Sequence, residues 1–280
     1  MHTLIFPQWQ GSGDRADVYH GALQAATLPK GAIWQVPVSP TERDEGTPDG
    51  IRHGDVLTRY AAQAFGWLRE VEPETLLTIG GDCGVEVPSI AYLNYTYAGL
   101  VVLWIDAHAD LNTPATSPSG HYHGMALRTL LGAGPRRIQN MIVKQWDAAL
   151  RPEQVVIVGA REFDPPEWEY IAANAIPVLD AASINESPEE IAAFIASADP
   201  RYLYVHVDVD VLDPAEFPPI FYPTVDGVKF DALLAFLRIL GRDARWVGAG
   251  VTEFGAMDAA SFERFRVLYE ALEAPLRIHQ

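Results

Sequence analysis

A single cysteine, Cys83, stands in this chain of 280 residues, so no internal disulfide can form and nothing asks for an oxidising compartment. Positive charge is also scarce. The 20 Lys and Arg residues face 37 Asp and Glu, and the net charge of -17 would repel nucleic acid or an anionic membrane. A small cationic partner would be attracted instead. No apolar run approaches the ~20 residues that a bilayer requires. The opening MHTLIFPQW lacks the basic start and longer apolar stretch of a secretory signal, so the expectation is a cytoplasmic protein. Internal repeats, linkers and low-complexity tracts are absent as well, which predicts one domain over residues 1–280.

What is present is a chain rich enough in apolar and aromatic residues to build a sizeable core. Strand-like runs fall at residues 3–6, 33–38, 75–79, 100–105, 154–158, 176–179, 202–211 and 246–251. Between most of them lie stretches of helical spacing, including 55–70, 85–92, 189–197, 230–240 and 261–272. Alternation of this kind predicts an α/β fold: a mostly parallel sheet of about eight strands, covered by helices on both faces. Ligands of such sheets bind beyond the carboxyl ends of the strands. Five of the runs lead there into ionisable residues: Asp82 and Cys83; Asp106, His108 and Asp110; Arg161 and Glu162; Asp208, Asp210 and Asp213; and Glu253.

The run VVLWIDAHAD places carboxylate, imidazole and carboxylate at every second position, and on a strand such residues share a face. In YVHVDVDV the alternation is strict, with Tyr204, His206, Asp208 and Asp210 on one side. Two carboxylates on one face of a buried strand repel each other and are poorly desolvated unless cations neutralise them. Pairing with Arg or Lys is the plain alternative, yet between Arg201 and Lys229 only His206 could carry positive charge. Mixed carboxylate and imidazole ligation suits divalent manganese, with zinc, iron or cobalt chemically possible. Four Asp residues plus His108 exceed what one small cation usually needs, so two metals fit better.

These separated motifs, GGDC at 80–83, DAHAD at 106–110, DVDVLDP at 208–214 and the later Glu253, resemble the ureohydrolases, the family of arginase, agmatinase and formiminoglutamase. The resemblance implies the three-layer α/β/α arginase-like fold and a two-metal centre. Asp106 and Asp208 would bridge the metals, with Cys83 and Asp110 on one and His108 and Asp210 on the other. Family members usually carry His where this chain has Cys83. A thiolate is a softer ligand than imidazole; the alternative is a small buried side chain that leaves one metal weakly held. In the polar segment 110–124, Asn112 and Ser119 match positions that hold a substrate α-carboxylate, and His123 matches a proton shuttle. His121 stands where arginases usually have Asn. Asp164 and Glu167, in RExDPPE, match acids facing the substrate α-amino group, although acids at a helix start are a simpler reading. Glu253 resembles the glutamate that pairs with a guanidinium.

The implied chemistry is hydrolysis of a small cationic guanidino substrate, with Asp110, His123 and Glu253 as catalytic groups and a homo-oligomer as the expected assembly. L-Arginine, giving L-ornithine and urea, ranks first. A cysteine at this position is also similar to N-hydroxyarginine hydrolases, which release hydroxyurea. Agmatine lacks the carboxylate that Asn112 and Ser119 would bind, and formiminoglutamate should call for a basic residue that loop 112–123 does not contain. From another class, a catalytically silent arginine- or metal-binding relative stays open, because Cys83 and the stretch EFPPIFYPTVD at 216–226 depart from the family pattern.

Overall fold

A computed structural model of the protein describes residues 1–13 and 15–278. Eight strands form one sheet: β1 (His2–Phe6), β2 (Ala32–Gln35), β3 (Leu76–Gly80), β4 (Leu100–Ile105), β5 (Val155–Val158), β6 (Val178–Leu179), β7 (Tyr202–Asp208) and β8 (Trp246–Thr252). Every pairing is parallel, in the order β2-β1-β3-β8-β7-β4-β5-β6. The helices are α1 (Asp17–Ala25), α2 (Gly54–Val71), α3 (Val87–Thr96), α4 (Ala126–Leu130), α5 (Arg136–Gln145), α6 (Pro165–Asn174), α7 (Ala181–Glu186), α8 (Pro188–Ser197), α9 (Phe230–Asp243) and α10 (Ala259–Ile278).

Successive strand residues feed opposite layers. Val102 and Trp104 of β4 join a buried cluster with Phe65 of α2, Ile90 of α3 and Ile142 of α5. Leu103 and Ile105 join another with Ile195 of α8, Leu237 of α9 and Leu272 of α10. Both faces of the central strands are therefore buried, as continuous Val-, Ile- and Leu-rich runs require. The expected three-layer α/β/α architecture is observed.

The topology positions the site. The chain passes from β3 to β4 across a gap that β8 and β7 later fill, so the carboxyl ends of β3, β8, β7 and β4 lie side by side. Strand β7 stops at Asp208, three residues short of the predicted run, because the Asp208 side chain accepts the Asp210 N–H and opens a tight turn over Val209–Val211. The predicted strand at 33–38 likewise ends at Gln35, where Val38 N–H turns back onto the Val36 carbonyl.

Candidate metal centre

Loop hydrogen bonds, more than strand alternation, bring the acids together. After β4 ends at Ile105, the His108 N–H donates to Asp106 Oδ1 at 2.7 Å and the Ala107 N–H donates to Asp210 Oδ1 at 3.0 Å. Asp110 has left-handed backbone with φ of 52°, which turns the chain back at the end of this cluster. Beyond β8, Glu253 is also left-handed at φ of 60°, and its N–H donates to the Gly81 carbonyl. Gly81 is required where the loop after β1 crosses β3. A Cβ there would lie 1.7 Å from the Gln8 carbonyl oxygen.

Two groups of donor atoms result. On one side His108 Nδ1 lies 3.4 Å from Asp106 Oδ1 and 3.0 Å from Asp210 Oδ2. On the other, Cys83 Sγ lies 3.0 Å from Asp208 Oδ2, and the Cys83 N–H donates to Glu253 Oε1. Asp106, His108 and Asp210 form one set whose ligand atoms lie within 4.8 Å of one another, and Cys83, Asp208 and Glu253 form a second. Asp110 is buried among them, and its Oδ2 and the Oε2 of Glu253 have no hydrogen-bond partner among the described residues.

The electrostatics match such a cluster. Burial and neighbouring carboxylates push Asp110 and Asp208 well above the usual carboxylate range. Burial, then Asp106, raises Asp210 to about 6. Burial alone is the main cause that takes Glu253 to about 8. Burial would raise Asp106 too, but the imidazoles of His108 and His206 beside it outweigh that and hold this carboxylate low. The His108 imidazole is pulled up in return, its desolvation outweighed by Asp210 and Asp106. Among the described residues no Lys or Arg forms an ion pair with Asp106, Asp110, Asp208, Asp210 or Glu253; the basic groups within reach of them are imidazoles. Arg161, which sits beside the cluster, spends its guanidinium on the carbonyls of Gly159, Asp210, Val211, Thr224 and Val225. The donor set fits divalent cations, which Cys83, Asp106, His108, Asp110, Asp208 and Asp210 could hold, and the partnerless oxygens of Asp110 and Glu253 are left facing that cluster.

Around this cluster, His123 Nδ1 lies 3.5 Å from Glu253 Oε1, and its ring stacks on Tyr222. Burial lowers its pKa to about 4. His121 lies with its ring centroid 6.1 Å from that of His123. Asn112 is clasped on both ends of its amide, donating to Asp164 Oδ2 at 2.7 Å and accepting from Thr116. Glu167 is buried and accepts from the Leu111 and Asp164 N–H groups, an arrangement that closes the start of α6 and pins loop 110–124. Ser119 is exposed, and its hydroxyl accepts from the His121 N–H. A cleft lined by His108, Arg161, Glu162, Phe163, Asp164 and Glu167 opens beside the metal cluster.

Several participants had no clear sequence signal. Tyr222 belongs to the unmatched stretch 216–226, which Arg161 ties to the turn after β7 and whose Tyr222 ring stacks on His123. Asp82 gathers the Gly11 and Gly84 N–H groups and the Gln8 amide under the site, and burial raises it to about 7. Only the motif containing Asp82 was visible.

Fold and site together define a three-layer α/β protein with a Cys-, His- and Asp-rich candidate dinuclear metal centre. The Arginase family profile matches residues 36–260. The arginase of Bacillus subtilis (strain 168) is 35% identical over 159 residues, which cover 55% of this chain and 52% of that protein. The match thus spans about half the length of the curated relative. Among solved structures, an Entamoeba histolytica arginase in complex with L-ornithine superposes with a TM-score of 0.85 at 22% identity, over 98% of this chain and 97% of that one. Proclavaminate amidino hydrolase from Streptomyces clavuligerus gives 0.72 at 21% identity, over 98% and 89%. These likenesses show the fold. The chain belongs to the arginase family of ureohydrolases.

Proposed function

We propose that this protein hydrolyses the guanidino group of a small cationic substrate, with L-arginine, yielding L-ornithine and urea, as the first choice. The observation that carries the reading is the buried cluster of Asp106, Asp110, Asp208, Asp210 and Glu253, which lacks any Arg or Lys counter-ion among the described residues. When bound, two divalent cations, manganese by preference on the oxygen-rich His108 side, supply the Lewis acidity that makes a water nucleophilic near neutral pH.

The chain's own groups do the rest. Glu253 has a buried, unpartnered Oε2 in a site that favours a cation, so it holds the guanidinium. Asp110, with its partnerless Oδ2, takes the proton from the attacking water and passes it to the departing amine. His123, kept neutral by burial, exchanges protons between that centre and solvent. At the far end, an α-amino acid head would replace the Asn112 to Asp164 hydrogen bond, its carboxylate taking the Asn112 amide and its ammonium taking Asp164. Ser119, whose hydroxyl accepts from the His121 N–H, would add a second contact to that carboxylate with His121 beside it, and Glu167 acts by holding Asp164 and Leu111 in place. The same reading takes the protein to be cytoplasmic and homo-oligomeric, the latter checked by light scattering.

The test is turnover of the metal-loaded protein on L-arginine, N-hydroxy-L-arginine and agmatine, with urea and hydroxyurea measured separately. Urea from arginine supports the first choice. Hydroxyurea release alone moves the assignment to the hydroxylated substrate, where the thiol of Cys83 is the distinguishing ligand. A folded protein that binds metal and turns over none of them is a silent relative.

A further inference from the structure

His206 lies on β7 two residues before Asp208, fully buried, and its role is not explained by the reading above. Two neighbours position its ring. It stacks on Trp104 with centroids 3.6 Å apart and planes 18° from parallel. Its Nδ1 lies 3.1 Å from Oε1 of Glu86, a fully buried carboxylate at the start of α3. Room for that carboxylate exists because the facing residue of β8 is Gly250, where a Cβ would sit 2.1 Å from Glu86. The remaining nitrogen, Nε2, points at the metal cluster, 3.9 Å from Cys83 Sγ and 3.7 Å from Asp106 Oδ2.

Those separations are informative. Two ligands of one cation, each ~2.0–2.3 Å from it, stand roughly 3.3–3.8 Å apart at the tetrahedral angle and up to ~4.0 Å at the 120° angle of a five-coordinate ion. Nε2 meets that condition toward both the thiol and the carboxylate, and Cys83, Asp106 and His206 form a set whose ligand atoms all lie within 4.8 Å. An imidazole whose Nδ1 sits beside a buried carboxylate can keep its proton on that side and leave Nε2 for a metal, a carboxylate–histidine–metal arrangement common among metal-ligating histidines. A buried Glu with no Lys or Arg partner among the described residues is otherwise expensive; an oriented, metal-bound imidazole gives it a partner.

We propose that His206 is a ligand of the cation on the Cys83 side, giving it a sulfur, nitrogen and oxygen donor set suited to a borderline-soft divalent ion such as cobalt or zinc, with Glu86 as the residue that positions the ring. This rests on the two-metal reading.

The test is titration of the metal-free full-length protein with cobalt(II), reading stoichiometry, affinity and the near-ultraviolet thiolate-to-cobalt charge-transfer band, for the natural chain, His206→Asn and Glu86→Gln. The natural chain should bind two cobalt ions, one of them with the thiolate band. His206→Asn should keep the ion at Asp106, His108 and Asp210 while the band-bearing ion weakens by at least ~100-fold, and Glu86→Gln should weaken that ion alone by ~10–100-fold. Circular dichroism checks the fold of each variant; should His206→Asn not fold, Glu86→Gln decides. Two ions bound with unchanged affinity and band in the variants would overturn the role of His206 and leave the two-metal reading standing. A natural chain that binds no cobalt would overturn both.

Discussion

Replacing Asp208 by Asn separates the cost of gathering these acids from the benefit of neutralising them, because the two effects have opposite signs. Asn keeps the oxygen that accepts the Asp210 N–H at 2.8 Å, so the turn over Val209–Val211 survives. It removes a buried carboxyl group whose ionisation is disfavoured by burial and by Asp210, Asp106 and Glu253. Without metal the variant should therefore be at least as stable as the natural chain. With metal the order reverses. Loss of a carboxylate ligand should weaken binding by at least ~100-fold, the upper end of what losing a mere supporting residue does. At a metal concentration ~100 times the natural Kd, each site stabilises the natural chain by ~2.7 kcal/mol, whereas a ~100-fold weaker site contributes ~0.4 kcal/mol. For a domain of this size ~1 kcal/mol moves Tm by ~2 °C, so metal should raise Tm by ~5 °C per site in the natural chain and by ~1 °C in the variant. Scanning fluorimetry with and without manganese, beside urea release, measures this. An Asp208→Asn protein with full turnover and an undiminished metal-induced shift would refute both the ligand role and the electrostatic account.

Other consequences are separable. The metal-free protein should lose stability as pH rises from about 6 to 8, because Asp82 at about 7 and Glu253 at about 8 hold protons in the folded state that they release when unfolded. Carboxyl groups raised on folding stabilise below their ordinary range and lose that contribution as pH climbs through the folded value. Urea unfolding at each pH shows it, and saturating metal should flatten the slope. Arg161→Met leaves five carbonyls without their donor and should cost ~3 kcal/mol or more, with faster amide exchange across 216–226. Glu167→Ala should lower stability by ~1–2 kcal/mol through loss of its contacts at the start of α6; an unchanged Tm with a raised KM would instead make it a direct substrate contact.

The residue pattern alone determined the layered α/β architecture, the edge of the sheet at which the acidic residues gather, and which side chains there could ligate a metal. Period and burial are local properties: continuous apolar runs such as LVVLWI suit central strands buried on both faces, and carboxylates gathered at the ends of such strands need a counter-charge or a cation. How those side chains meet was decided only in three dimensions. Alternation suggested that Asp208 and Asp210 share a strand face, but a side-chain hydrogen bond ends β7 between them. Asp110 and Glu253 are aimed by left-handed backbone that their residue types do not announce. The pairing of Glu86 with His206 depends on a glycine on β8 and a stacked tryptophan on β4, and Arg161 reaches the otherwise unreadable stretch 216–226 across the chain. Such contacts join residues tens to more than a hundred positions apart. They follow from strand order, which places β8 and β7 between β3 and β4, and no local pattern encodes that insertion.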